Sequence, residues 1–541
     1  MYQKLLCFLG IVALFSCEEN SKQKADAIFI NATIYTVDST FAKASAFAVK
    51  DGKFLQVGDS EEIQNEFEAD TVIDVEGKTI VPGLIDAHCH FLNLGIGKLN
   101  VDLVDTKSFD EVVERVVAFQ KENNVEFIQG RGWDQNDWEV KEFPDKRVFD
   151  SLFPDTPIAL TRIDGHASIV NQAALDLGGV TATTKVEGGD VILRDGQPTG
   201  VLIDRAQGLV SANIPQRSQK ELIHALMEAQ EECFSFGLTT VNDAGLPRSA
   251  IELIDSLQKA GDLKMRVYAM VTPTDDNLDH YLNTGVVKTE RLHVRSFKYY
   301  ADGALGSRGA LLKEPYSDAP HQHGLLLTPL DKFKTDAMRI ANSDYQMNTH
   351  AIGDSANYAA LSIYKEVLSG KTDRRWKIEH AQVISPNDFE MFGDIIPSIQ
   401  PTHATSDMYW AEDRLGSERV KGAYAFKDLL NAYGKVALGT DFPVEKVSPF
   451  LTFYAAVARQ DLESYPEDGY QMENALSREE TLKGMTIWAA YSNFEEAEKG
   501  SIEKGKLADF TILDRDIMEV DQSEIPKTKV LNTYVNGEAQ L

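Results

Sequence analysis

Short apolar runs separated by turn residues occupy both ends of the chain. Near the N-terminus they lie at residues 27–30, 33–37, 46–49 and 54–57, with Asp-Gly and Gly-Asp turns beside them. The same pattern returns at residues 510–513 and 530–537. Isolated hairpins are only marginally stable in water, so neither end is expected to fold alone. We therefore predict one small β-sandwich domain built from residues 26–80 and 500–541.

Between these ends, short apolar runs alternate with stretches of helical periodicity such as residues 219–236 and 331–343. The runs lie at residues 84–86, 239–241, 266–271, 297–300, 346–349, 377–379, 397–399 and 436–439. Eight parallel strands with intervening helices close into a (β/α)8 barrel, an α/β fold that we predict for residues 81–499. The first gap is too long for one crossover helix. We therefore expect an inserted subdomain at about residues 91–215.

Composition narrows the class of protein. The chain has 541 residues, of which 43% are hydrophobic and 26% charged, as is usual for a folded protein. Lys and Arg number 54 against 84 Asp and Glu, which gives a formal net charge of −30. Such a surface repels phosphate backbones, and the sequence contains no basic patch, so nucleic-acid binding is not expected. Four cysteines are too few for a disulfide scaffold.

Residues 1–17 have the pattern of a bacterial lipoprotein signal peptide. Lys4 precedes an apolar run at residues 5–15, which is shorter than a membrane span, and Cys17 is followed by a polar stretch. Cys17 would be lipidated and become the mature N-terminus. We expect an exported protein that is anchored to a membrane by this lipid, on the periplasmic or cell-surface side. The alternative is plain secretion with cleavage nearby.

Ionisable side chains stand at the ends of the predicted barrel strands. Residues two apart on a strand face the same way, so two histidines of the first strand could hold one metal. The set comprises His88, His90, Lys298, His350, His380 and Asp441. Each residue alone also fits a structural role. Together they occupy the edge where barrel enzymes place catalytic groups, and burying so many ionisable groups without a shared purpose would be costly.

These residues lie in segments that resemble the metal-dependent amidohydrolases, most closely amidohydrolase family 3, the branch of YtcJ-like and N-substituted formamide deformylase proteins. The resemblance covers nearly the whole mature chain. The segments are 81–90 (VPGLIDAHCH), 298–308 (KYYADGALGSR), 349–354 (THAIGD), 378–381 (IEHA), 438–443 (LGTDFP) and 500–509 (GSIEKGKLAD).

The resemblance implies a binuclear metal site, usually with two Zn²⁺ ions. The family's ligands correspond to the six strand-end residues: His88, His90 and Asp441 for the more buried ion, His350 and His380 for the more exposed one, and Lys298, carboxylated by CO₂, as the bridge. An unmodified, structural Lys298 is the alternative. Histidine and carboxylate ligands also suit Mn²⁺, Fe²⁺ and Co²⁺.

The reaction that follows is hydrolysis of a non-peptide C–N bond by metal-activated hydroxide, because a metal lowers the pKa of water toward about 7. Asp441 would accept the proton of this water and pass it to the leaving nitrogen. The expected substrate is a small amide of the N-substituted formamide or N-acyl amine type. N-acyl amino acids and cyclic amides remain open.

Four further residues are weaker candidates. His166 in the insertion could cover the barrel mouth and contact the substrate carbonyl as a second catalytic residue, or be an ordinary loop histidine. Trp133 could line a substrate pocket, although tryptophans also fill cores. His403 ends the seventh strand, where it could contact substrate. Arg308 could pair with a substrate carboxylate or with an acidic neighbour.

Two alternative functions remain. One is a mononuclear, deaminase-like hydrolase of a cyclic amidine, which Lys298 on the fourth strand disfavours. The other is a non-catalytic solute-binding lipoprotein, which predicts loss of a ligand, whereas all six are present. A homodimer is compatible with the sequence, which does not determine the oligomeric state.

Overall fold

The computed structural model describes residues 22–163, 165–186 and 188–541. The predicted signal peptide and Cys17 lie outside these ranges. Within them, no helix combines the length and apolar character needed to cross a membrane.

Eight parallel strands form the central barrel, which confirms the predicted fold. In order around the barrel they are Leu84–Cys89, Leu238–Leu246, Arg266–Val271, Leu292–Tyr300, Gln346–Ala351, Lys377–His380, Ile396–Ile399 and Ala437–Leu438. The chain just after the last strand closes the ring, because the amide of Asp441 donates to the carbonyl of His88 at 2.8 Å and the amide of His90 donates to Phe442 at 2.8 Å. The short strand Val287–Lys288 pairs with the fourth strand in antiparallel fashion.

The second and fourth strands are longer than the apolar runs that predicted them. The second continues through Asn242 and Asp243, which are buried. Polar residues on an inward face interrupt an apolar run without ending the strand, because the barrel interior supplies hydrogen-bond partners. Asn242 illustrates this, since its Nδ2 donates to the carbonyl of Ala87 at 3.0 Å.

Helices surround the barrel. They are Phe91–Lys98 and Gln219–Ser235 after the first strand, Arg248–Ala260, Asp275–Thr284, Leu330–Ala341 and Asp354–Val367 after the next four, Pro401–Asp407, Ala411–Arg419 and Phe426–Tyr433 after the seventh, and Pro449–Ala458, Arg478–Gly484 and Ile487–Ser492 after the eighth. A 3₁₀ helix, Pro386–Asp394, replaces the α-helix after the sixth strand. Shorter 3₁₀ turns lie at Val420–Gly422, Met472–Asn474 and Gln522–Lys527.

Local sequence explains the helix boundaries. Ser218 accepts from the amide of Glu221 while the Glu221 side chain accepts from Ser218, a capping box that starts the helix Gln219–Ser235. Its neighbour Phe91–Lys98 packs so closely that a Cβ on Gly95 would lie 1.9 Å from the carbonyl oxygen of Ala225. Glycine is therefore required at this crossing.

Both chain ends form two sheets outside the barrel. One contains Ala27–Ile30, Ala46–Lys50, Lys53–Gly58 and Thr71–Asp74, and the other Thr33–Tyr35, Lys43–Ala44, Thr79–Pro82, Phe510–Leu513, Val530–Val535 and Glu538–Ala539. The helix Ser60–Glu66 and the pair Gln23–Lys24 with Phe67–Glu68 accompany them. Phe29 contacts Phe47, with ring centroids 5.0 Å apart, and Phe510, at 4.9 Å, so both ends share one aromatic core.

The insertion has its own six-stranded sheet. In spatial order its strands are Val101–Asp102, Ile128–Trp133, Ile158–Arg162, Ala167–Val170, Gln197–Asp204 and Gly189–Arg194. The helices Phe109–Asn123, Arg147–Leu152, Gln172–Leu177 and Gly208–Ser211 and the 3₁₀ turns Gln135–Asp137 and Arg205–Gln207 belong to the same region. Val112, Ile128 and Leu160 lie in its separate hydrophobic core.

Candidate metal centre

The carboxyl ends of the barrel strands bring the predicted ligands together. His88 is the fifth residue of the first strand and its side chain is fully buried, whereas the His90 side chain is 19% exposed. The two ring centroids lie 5.8 Å apart. Both imidazoles therefore project from the end of the first strand toward the barrel mouth, as their spacing predicts.

Each ring nitrogen of His88 has a distinct partner. Nδ1 lies 2.6 Å from Oε2 of Glu379, which is also fully buried. Nε2 lies 3.0 Å from Nζ of Lys298 and 3.7 Å from Oδ1 of Asp441. A carboxylate accepts hydrogen bonds only, so Nδ1 carries the proton and Nε2 presents its lone pair to Lys298 and Asp441.

His350 and His380 complete the cluster of imidazoles. The His380 centroid lies 4.5 Å from that of His350 and 4.8 Å from that of His88. Burial lowers the pKa of His350 to about 3 and that of His380 well below its usual range, so both rings are neutral. Neutral imidazoles are the form that binds metals.

Three buried atoms of this cluster have no hydrogen-bond partner among the described residues: Nε2 of His350, Nδ1 of His380 and Oδ1 of Asp441. Orphaned buried polar atoms are costly unless something else satisfies them. Ligand atoms of His88, His380 and Asp441 all lie within 4.8 Å of one another. Nitrogen and carboxylate donors at this spacing fit a divalent metal ion.

Lys298 lies beside His88 in the same cluster and is 1% exposed. Its Nζ is 4.9 Å from the ring centroid of Tyr300. Burial lowers the pKa of the Lys298 amine, although nearby carboxylates of Glu379 and Asp441 oppose this effect. A lowered pKa favours the neutral amine, the form that can add to CO₂, so this environment suits a carboxylated lysine.

Asp441 follows the eighth strand in a left-handed backbone conformation, with φ of 66°. Its Oδ1 lies 3.2 Å from Nε2 of His90, and its Oδ2 lies 3.2 Å from Nε2 of His403. Burial alone would raise the pKa of Asp441, but His403 and His90 outweigh it and hold that pKa well below the usual range. The carboxylate is therefore ionised at neutral pH.

His403, after the seventh strand, lies between two carboxylates, and its predicted contact with substrate stays a prediction. Nε2 lies 3.2 Å from Asp441 and Nδ1 lies 3.2 Å from Oε1 of Glu445, so both nitrogens face carboxylates. Burial opposes the charged ring, but the two acids prevail and raise its pKa to about 10. Either nitrogen would have to leave a carboxylate before it could bond to a substrate. His403 is thus a partner of Asp441.

Two acidic residues outside the predicted ligand set, Glu379 and Asp302, lie beside it. Glu379 bonds to His88, as described above. Asp302 accepts from the amides of Leu311, Ile352 and Gly353 at 2.7, 3.0 and 2.8 Å, and its Oδ1 lies 3.8 Å from Nε2 of His350. The only sequence signal was their place inside the segments IEHA and KYYADGALGSR.

Two weaker candidates belong elsewhere. Trp133 is fully buried in the core of the insertion, where Nε1 donates to the carbonyl of Leu160 at 2.8 Å, so its ring fills that core and does not line a pocket. Arg308 donates to both oxygens of Asp318 at 3.1 and 2.7 Å, which is the acidic-neighbour alternative.

His166 lies on the insertion with a side chain that is 64% exposed. Its Nδ1 is 2.7 Å from Oδ1 of Asp204. Its predicted contact with substrate therefore stays a prediction.

Comparisons with known proteins identify the family. Residues 71–539 match the model of the amidohydrolase family. The protein LONG AFTER FAR-RED 3 of Arabidopsis thaliana is 34% identical over 506 residues, which cover 90% of this chain and 86% of that protein. The N-substituted formamide deformylase of Arthrobacter pascens is 26% identical over 550 residues, 95% of this chain and 98% of the enzyme. The crystal structure of a metal-dependent hydrolase from Pyrococcus furiosus superposes with a TM-score of 0.77 at 30% identity, covering 91% of this chain and all of that one.

Proposed function

Because this chain belongs to the amidohydrolase family, we propose that it hydrolyses the C–N bond of a non-peptide amide, of the N-substituted formamide or N-acyl amine type. The observation that supports this most is the group of orphaned buried atoms on His350, His380 and Asp441, beside the lone pair of His88. The likeness to a formamide deformylase supports the choice of substrate.

The residues that would hold the metal are the six strand-end residues: His88, His90, Lys298, His350, His380 and Asp441. When bound there, a divalent metal supplies Lewis acidity toward the substrate carbonyl and lowers the pKa of a water molecule. Two ions, most simply Zn²⁺, fit six donors better than one, and the buried Lys298, whose Nζ lies 3.0 Å from Nε2 of His88, suits a bridging carbamate.

Asp441 is the residue that moves the proton. Its carboxylate is ionised and its Oδ1 has no hydrogen-bond partner among the described residues, so this atom can accept a proton from the attacking water. The water oxygen then bonds to the carbonyl carbon, the C–N bond breaks, and Asp441 returns the proton to the leaving nitrogen. The products are a carboxylic acid and an amine.

His403 positions this carboxylate during the transfer. It holds Oδ2 of Asp441 at 3.2 Å, so Oδ1 stays directed toward His90 and the site. A positively charged His403 also keeps Asp441 ionised before the reaction.

The test is a comparison of amides on purified protein. N-substituted formamides, N-acyl amines, N-acyl amino acids and cyclic amides are incubated separately, and released amine and acid are quantified. We expect hydrolysis of a formamide or N-acyl amine that stops with a chelator and returns with Zn²⁺. Release of ammonia from a cyclic amidine, with no cleavage of any amide, would instead support the mononuclear deaminase-like function.

We also propose export and membrane attachment through Cys17. A Cys17→Ser variant should then leave the membrane fraction, whereas an unchanged distribution would contradict lipidation at this residue.

A further inference from the structure

We propose that Glu379 is the positioning residue that fixes the ring of His88, so that Nε2 and not Nδ1 faces the metal centre. The inference rests on the proposed metal centre and adds to it a residue that binds no metal itself. Glu379 and His88 meet across the barrel from the sixth and first strands, and both side chains are fully buried.

Backbone geometry brings two consecutive residues of the sixth strand to the same histidine. Neighbours on a strand normally point to opposite faces. His380, however, has φ of 74°, which breaks this alternation at the end of the strand. As a result, Glu379 contacts His88 at 2.6 Å while the His380 ring lies 4.8 Å from the His88 ring.

The contact determines what His88 offers to the site. Glu379 accepts the Nδ1 proton, so the lone pair is left on Nε2, next to Lys298 at 3.0 Å. A histidine that binds a metal through one nitrogen commonly donates the other N–H to a carboxylate, which fixes both tautomer and ring orientation. No water is needed to satisfy Nδ1 in this buried position.

Oε2 of Glu379 bonds to His88, whereas its buried Oε1 has no hydrogen-bond partner among the described residues, so His88 is the contact that orients this carboxylate. Lys377, two residues earlier, points to the same interior and donates to Oδ1 of Asn493 at 2.8 Å. Burial would raise the pKa of Glu379, but His88 and Lys377 outweigh this and keep it below its usual range. Asn493 in turn donates to Oδ1 of Asn242 at 2.9 Å, so the polar interior below the site is connected.

A second buried pair provides a matched control. Oε1 of Glu495 lies 3.2 Å from Nδ1 of His293, and both side chains are nearly inaccessible. His293 stands five residues before Lys298 on the fourth strand, about 16 Å away at 3.3 Å per residue. Glu495 also pairs with Lys288 at 2.5 Å and with Lys499 at 2.8 Å, so removing its charge perturbs a buried glutamate–histidine contact and two ion pairs outside the metal centre.

Two substitutions separate position from charge. Glu379→Gln removes the charge but keeps an oxygen that can accept the hydrogen bond from Nδ1 of His88. Glu379→Asp keeps the charge but moves the carboxylate away from His88, because its side chain is one methylene shorter. Zn²⁺ affinity is measured by competition with a chelator, and the visible absorption of bound Co²⁺ reports ligand geometry. Circular dichroism checks that each variant is folded.

We expect Glu379→Asp to bind Zn²⁺ about 10- to 100-fold more weakly with an altered Co²⁺ spectrum, the usual effect of losing such a partner. Glu379→Gln should stay within a few-fold of the native chain, and Glu495→Gln should be unchanged. Native affinity in Glu379→Asp, or weak binding in Glu379→Gln alone, would overturn the assignment. A native chain that binds no metal would overturn the metal centre as well, whereas metal binding without amide hydrolysis would count only against the proposed reaction.

Discussion

Replacing Asp441 by asparagine separates the chemistry of this residue from its structural role. The backbone N–H of Asp441 donates a hydrogen bond to the carbonyl of His88 and so closes the barrel, whereas only the side chain faces His90 and His403. Asparagine has nearly the same shape and tolerates the left-handed backbone at φ of 66°. Asp441→Asn should therefore fold normally and lose only the ionisable group.

The size of the effect follows from that group's function. A positioned general acid–base contributes about 10²- to 10⁴-fold to a rate, equivalent to about 2.7–5.4 kcal/mol of barrier at 1.36 kcal/mol per tenfold. An asparagine amide cannot take up the proton of the attacking water at neutral pH. We expect kcat to fall by at least about 100-fold, with native circular dichroism.

The assay is the initial rate of amine release at saturating Zn²⁺, so that a weakened metal ligand does not limit the rate. Asp336→Asn is the matched control, because Asp336 is a buried aspartate on the outer helix Leu330–Ala341 and its carboxylate accepts from the hydroxyl of Tyr299 at 3.0 Å. It should retain the native kcat. If Asp441→Asn hydrolyses substrate at the native rate, the proposed proton transfer is wrong.

Three further predictions concern the stability of the fold and metal binding at the site. Burial would raise the pKa of Asp509, but its hydrogen bonds to Arg266 at 2.6 and 3.1 Å outweigh burial and lower that pKa. The ion pair therefore stabilises the fold fully above the usual aspartate pKa, and this stabilisation is lost as the pH falls through the lowered pKa of the folded protein. Asp509→Ala should thus cost about 3–5 kcal/mol in urea unfolding at pH 7, and a deficit that does not shrink in acid would contradict this. A Cβ on Gly439 would lie 2.5 Å from the amide nitrogen of His88, so Gly439→Ala should displace His88 and weaken Zn²⁺ binding, measured by competition with a chelator. Gly393→Ala is the control and should leave Zn²⁺ binding unchanged, because no atom lies within 4 Å of a Cβ at that position. Removing metal should lower the unfolding temperature, since a ligand at 100 times its Kd contributes about 2.7 kcal/mol, and equal melting with and without metal would argue against the site.

The barrel could be predicted because its strands are short buried runs and its ligands stand at strand ends. Because barrel enzymes carry their catalytic groups at the carboxyl ends of the strands, the sequence predicts that His88, His90, His350 and His380 lie on one edge of the sheet. The apolar pattern did not predict the second half of the second strand, because the buried residues Asn242 and Asp243 resemble a turn by composition. Their hydrogen-bond partners come from distant parts of the chain, which periodicity does not reveal.

The contacts around the ligands could not be predicted for the same reason. Glu379 and His88 are separated by 291 positions, and His403 and Asp441 by 38, so only the folded chain shows that they touch. For Trp133 and Arg308 the sequence left two roles open, and the folded chain shows Trp133 bonded to Leu160 in the core of the insertion and Arg308 bonded to Asp318.

The central claim is a metal centre bridged by Lys298, and the most direct test is metal content per chain. Protein purified without added metal is measured beside the Lys298→Ala variant, with circular dichroism to confirm that both are folded. If Lys298 bridges the metal centre, the native chain should hold about two divalent ions and the variant far fewer. One ion in both proteins would contradict the bridge and favour a mononuclear site. A native chain that takes up no metal, even when Zn²⁺ is supplied, would contradict the metal centre itself.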